Sequence, residues 1–84
     1  MKVEIALYAT LSRHLPAGAR NRKAVIEVRD GATVEEIMTQ LGIPREHPNI
    51  LLVNGRQAHR DTPLKDGEAL SIFPPLAGGR EMSA

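Results

Sequence analysis

Few side chains in this 84-residue chain have the type and spacing that chemistry needs. His14, His47 and His59 fall in three separate turn or edge regions, without the close spacing that lets imidazoles share a metal. No metal site is expected, and all three histidines read as solvated surface residues. Glu35 and Glu36 are adjacent, so on a helix they point in different directions and do not form an acid–base pair. Ser12 and Ser71 have no base in a recognisable context. No glycine-rich pattern opens a helix, which removes a phosphate loop. What is left is Gly78-Gly79, reached through Leu70-Ser71-Ile72-Phe73-Pro74-Pro75-Leu76-Ala77. A chain end without Cβ atoms can enter a tunnel that any side chain would block. Its chemistry is that of a terminal carboxylate, inert until converted to an acyl-adenylate, from which a sulfur, oxygen or nitrogen nucleophile displaces AMP. The plainer reading of a glycine pair near a terminus is a linker or a frayed end. The prolines and the apolar run directly before the pair make it less generic.

Such a thread needs a rigid base. Pro74 and Pro75 lack a backbone N–H and fix φ, so sheet pairing is expected to stop there, after a last strand over 68–73. Val3, Ile5 and Leu7 alternate with polar or small residues, the period of a half-buried strand. A short helical turn is expected over 10–15, with a loop to about Lys23 and a second alternating strand over 24–28. Thr33 followed three residues later by Glu36 is a capping box. Val34, Ile37, Met38 and Leu41 form one apolar stripe, and Gly42 with Pro44 stops the helix. The apolar run over 50–53 meets Asn54-Gly55, the strongest short hairpin signal, and a polar return strand is expected over 56–60. A single substantial helix covers one face of a sheet. With Leu70 and Ile72 facing it, Ser71 and Phe73 face away, and Tyr8, Val25 and Leu52 join them as a candidate partner-binding patch.

Composition narrows the function classes. The length suits one domain with no deep catalytic cleft, and one Tyr, one Phe and no Trp require an aliphatic core. The absence of cysteine removes disulfides, thiolate nucleophiles, cysteine-bound zinc and iron–sulfur clusters, and agrees with a reducing cytoplasm. No signal peptide or membrane span is expected. A net charge of +1 argues against a dedicated nucleic-acid binder. Residues 1–23 carry five cations against Glu4, which leaves −3 for the remainder. The basic stretch Arg20-Asn21-Arg22-Lys23 either steers an acidic partner or is a solvated loop.

Three stretches in order and spacing, Leu52-Val53-Asn54-Gly55, Leu64-Lys65-Asp66-Gly67-Glu68 and Ile72-Phe73-Pro74-Pro75-Leu76-Ala77-Gly78-Gly79, together with the helix over 33–41, resemble the MoaD/ThiS family of sulfur carriers. The Phe-Pro-Pro-x-Ala-Gly-Gly ending is closer to the molybdopterin carriers than to the thiamine carriers. The resemblance implies an α+β, ubiquitin-like β-grasp domain over 1–79: a mixed sheet of four or five strands, its first and last strands neighbours, with one main helix on one face. It implies a protein co-substrate rather than an enzyme, with no bound cofactor. An activating enzyme of the ubiquitin-activating type would adenylate the Gly79 carboxylate with ATP and magnesium, and a persulfide donor would convert it to a thiocarboxylate. Sulfur would then pass to an acceptor, for molybdopterin a cyclic pyranopterin phosphate held by the synthase large subunit. Gly78 threads the tunnel beside Gly79, and Phe73, Pro74, Pro75, Leu76 and Ala77 meet the partner.

Carriers of this type end at the second glycine, whereas here Arg80-Glu81-Met82-Ser83-Ala84 follow. Three explanations stand: a protease trims residues 80–84; the extension marks a domain that binds partners without carrying sulfur; or it is foreign to the native protein. The functional alternatives are a non-covalent binding module that uses the open sheet face and a protein modifier joined to lysines through Gly79.

Overall fold

The computed structural model describes residues 1–44 and 49–74. Among these residues, five strands and one α-helix form two layers. The strands are β1 (Lys2–Leu7), β2 (Lys23–Glu27), β3 (Ile50–Val53), β4 (Arg56–Gln57) and β5 (Ala69–Phe73), and the helix is α1 (Val34–Leu41). The sheet order is β2-β1-β5-β3-β4. β1 and β5 run parallel, and the other three pairings are antiparallel. The first and last strands are thus neighbours in a mixed sheet with one covering helix.

Alternation along the strands decides the core. Val3, Ile5 and Leu7 of β1 and Leu70 and Ile72 of β5 are buried on the helix side, where Ile5 pairs with Leu70 and Leu7 with Ile72. Leu51 of β3 continues that row beside Ile72. Val34, Ile37 and Met38 pack onto it from α1, each contributing about 1.5–3 kcal/mol through burial. A helix of eight residues is marginal alone and depends on this docking.

Local chemistry sets the helix ends. The Thr33 hydroxyl accepts from the Glu36 N–H, and the Glu36 carboxylate accepts from the Thr33 N–H, so the capping box is closed. Arg29 donates to the same carboxylate at 2.7 Å and, with the Thr33 N–H, holds Glu36 below its ordinary pKa. Gly42 adopts φ 79°, and its N–H reaches the carbonyls of Met38 and Thr39, an end that a Cβ would strain.

The short helical turn expected before β2 is there as a 3-10 helix, Ala9–His14, that inserts Leu11 into the core. Three local expectations are corrected. The stretch leading to Lys23 is closed by a two-residue hairpin: Arg20 and Lys23 exchange backbone hydrogen bonds of 2.9 and 2.8 Å across Asn21 and Arg22, both at positive φ. The return strand stops at Gln57, because the Ala58 side chain turns into the core and the Thr62 hydroxyl accepts from the His59 N–H. His14 is half-buried rather than solvated, its Nε2 shielded from solvent and its Nδ1 3.9 Å from where a Cβ on Gly42 would stand. His59 is exposed, and His47 lies outside the described residues. Among the described residues, no cluster of His, Asp or Glu suits a metal ion and no helix is long and apolar enough to cross a membrane.

Candidate functional site

The end of the chain is fed by the central strand. β5 lies between β1 and β3, so its backbone is hydrogen-bonded on both sides up to Phe73. The Tyr8 N–H donates to the Ile72 carbonyl at 3.2 Å. Continued parallel pairing would next call on the N–H of residue 74 to meet the Tyr8 carbonyl. Proline has none, and that carbonyl instead accepts from the Leu11 N–H at 3.0 Å. The ladder therefore ends at Pro74 for a covalent reason, and the 3-10 helix takes the released acceptor. Pro74 is half-buried; Pro75, Leu76, Ala77, Gly78 and Gly79 lie outside the described residues, as do residues 80–84.

The start of β5 is clasped by the two motifs that precede it in sequence. Asn54 sits at φ 51° in the β3–β4 turn, and its N–H and side-chain oxygen meet the carbonyl and N–H of Ala69 at 2.8 and 2.9 Å. Its side-chain nitrogen donates to Glu68, whose carboxylate also accepts from the Lys65 N–H. Asp66 accepts from the Lys2 N–H, and the Gly67 N–H donates to the Lys2 carbonyl. Asn54-Gly55 and Lys65-Asp66-Gly67-Glu68 are thus one hydrogen-bonded unit that sets the register of the exit strand. The sequence shows two turns but not the clasp, whose one signal is an Asn together with a polar residue just before the last strand. Asn54→Gly keeps the left-handed turn and the backbone bond to Ala69 but removes the side-chain half of the clasp, so it should lower stability by about 1 kcal/mol, read as a shifted denaturation midpoint with unchanged slope.

On the face away from α1, Tyr8 and Phe73 stack with ring centroids 4.2 Å apart and planes 8° from parallel. Ile50 pairs with Phe73, and Leu52 pairs with Ser71 beside Ala6. Val25 and Ile50 are 65% and 45% exposed. The residues expected on the open face are therefore there, grouped around a floor of small side chains. The aromatic pair stands at the edge where the chain leaves the sheet. The Arg20–Lys23 hairpin lies at the same edge: Lys23 pairs with Ala6, and the Leu7 N–H donates to the Arg22 carbonyl at 3.1 Å. An exposed apolar patch beside a chain exit is suited to holding a partner while the end is delivered.

Comparison with known proteins agrees with this geometry. The model of the ThiS family matches residues 13–79. Small archaeal modifier protein 3 of Haloferax volcanii is 33% identical over 98 aligned positions, which take in 94% of this chain and 100% of the relative. Among solved structures, small archaeal modifier protein 1 of Haloferax volcanii superposes with a TM-score of 0.69 at 26% identity, covering 89% of this chain and 98% of that one. A Pyrococcus furiosus protein named as molybdopterin converting factor, subunit 1, gives 0.68 at 26% identity, with coverage of 89% and 98%. The fold is the ubiquitin-like β-grasp of these neighbours.

Proposed function

The chain belongs to the ThiS family, and from that premise we propose that it is a sulfur-carrier protein whose working group is the Gly79 carboxylate, released by removal of residues 80–84. The observation that carries this reading is the limit of the family match: it runs to Gly79 and stops there. The central strand ends at Phe73, and Pro74 then terminates the ladder, so sheet pairing stops with five residues still to come before Gly79.

In this reading an activating enzyme uses ATP and magnesium to join AMP to the Gly79 carboxylate, with release of pyrophosphate. The terminal sulfur of a persulfide displaces AMP, and a thiol cleaves the remaining S–S bond to leave the thiocarboxylate. Gly78 gives the backbone the narrow section that an active-site tunnel needs. The chain is the protein co-substrate, delivering sulfur toward molybdopterin in a complex with a synthase large subunit. The likeness to a protein named as a subunit supports that assignment. A cysteine-free chain suits this work in a reducing cytoplasm. Reaction of residues 1–79 with an activating enzyme, ATP and a sulfur donor should replace one oxygen by sulfur in the intact mass.

A second reading has its own observation. The relative at 33% identity is named a modifier protein, and the same acyl-adenylate could pass to a lysine amine. Isopeptide-linked conjugates released by proteolysis would carry the Gly79 remnant, whereas the carrier reading gives a thiocarboxylate and none.

Both readings need the open face to hold a partner. Phe73→Ala removes half of the aromatic stack at the exit, and should weaken the complex with the activating enzyme by about 2 kcal/mol, roughly 30-fold in Kd. An unchanged titration would remove the open face from the docking surface.

A further inference from the structure

We propose that the Arg20–Lys23 hairpin is a docking element for the acidic rim of the partner protein that receives the chain end, a deepening that rests on the carrier reading above. Arg20, Arg22 and Lys23 are all exposed. The ion pairs of the described residues, from the N-terminus to Asp30, from Arg29 to Glu36 and from Arg60 to Glu35, all lie elsewhere. The three cations are therefore not spent inside the fold, while the rest of the chain beyond residue 23 is net negative.

Their placement gives them a purpose. Arg22 reaches β1 through the Leu7 N–H, Leu7 pairs with Ile72, and Phe73 follows. The hairpin is thus two strand spacings, about 10 Å, from the last sheet residue before the exit. That is close to the screening length of about 8 Å at physiological salt, so a protein gripping the exit lies within the hairpin's field. The turn is also closed by its own backbone bonds. Arg22 is held at φ 65°, a conformation that favours glycine, yet an arginine stands there. A cation thus stands at a place where glycine would be less strained.

The chemistry favours carboxylates over phosphates. A phosphate cradle converges free backbone N–H groups, but those of Arg20 and Lys23 are used in the hairpin's own pair of hydrogen bonds. What remains are two guanidinium forks and an ammonium on a convex turn, suited to bidentate pairing with Asp and Glu side chains. The occupant is a protein surface with acidic residues beside the mouth that admits the chain end.

The test uses residues 1–79, which retain every described element of the fold, with the cognate activating enzyme, and follows pyrophosphate release. Arg20→Glu/Arg22→Glu/Lys23→Glu should lower kcat/KM by about 10- to 100-fold at low ionic strength. The difference should shrink as salt rises, with kcat at saturation unchanged. The Gln triple variant should fall between, and Arg56→Glu, on the opposite sheet edge, should react as the parent does. Matching melting curves establish that the turn survives. A parent that reacts while the Glu variant keeps full kcat/KM at low salt overturns the docking role and leaves the carrier reading standing. A parent that never reacts overturns both. Binding of a single-stranded oligonucleotide lost in the Glu variant, with adenylation unaffected, also overturns it.

Discussion

Truncation after Gly79 should turn an inert chain into a substrate: residues 1–79 release pyrophosphate with an activating enzyme, ATP and magnesium, and the 84-residue chain releases none. The reason is covalent. Adenylation requires a carboxylate oxygen as nucleophile, and with Arg80 attached the Gly79 carbonyl belongs to an amide. The effect is all-or-none, beyond anything a surface substitution produces. A companion variant separates chemistry from fit. Gly79→Ala in the truncated chain keeps the carboxylate and adds a Cβ where the tunnel is narrowest, and should cost about 100-fold in turnover by misplacing the reacting group. Pyrophosphate release from the untrimmed chain at the parent rate would remove Gly79 as the working residue.

Ile72→Ala should be among the most damaging single substitutions in the fold, at about 3–4 kcal/mol. Ile72 is fully buried and is the meeting point of the sheet's centre, paired with Leu7 on one side and Leu51 on the other. Removing its outer carbons leaves a cavity that neither neighbour can collapse into, since both are held by ladders. A domain of this size starts near the low end of the usual 5–15 kcal/mol, so the variant should be partly unfolded at physiological temperature. Ser71→Ala, one residue away on the open face, should change the melting curve little. Equal losses from the two would contradict the assignment of faces.

Much of this architecture is legible in the residues because its signals are local. Thr33 and Glu36 three residues apart, the stripe of Val34, Ile37 and Met38, and Asn54-Gly55 each act through neighbours in sequence, and each is found in place. Alternation in β1 and β5 likewise assigns the two faces correctly. The parallel pairing of β1 with β5 does not follow from spacing, because it joins residues more than sixty positions apart; only the family resemblance implies it. The hairpin at Asn21-Arg22 was hidden because arginine at a left-handed position carries no glycine signal. The half-burial of His14 is hidden too, since it brings His14 near Gly42, a residue distant in sequence. At the site, the exit and its aromatic pair were legible. The clasp of Asn54 on Ala69 was not, because no local rule says which backbone a turn side chain will reach.

The central claim is that the reactive end is Gly79. It is tested most directly by the intact mass of the protein isolated from its native cells. The account predicts a chain ending at Gly79, as the carboxylate or with one oxygen replaced by sulfur, and no residues beyond it. A protein that retains residues 80–84 throughout, in cells actively making sulfur-containing cofactors, would contradict it.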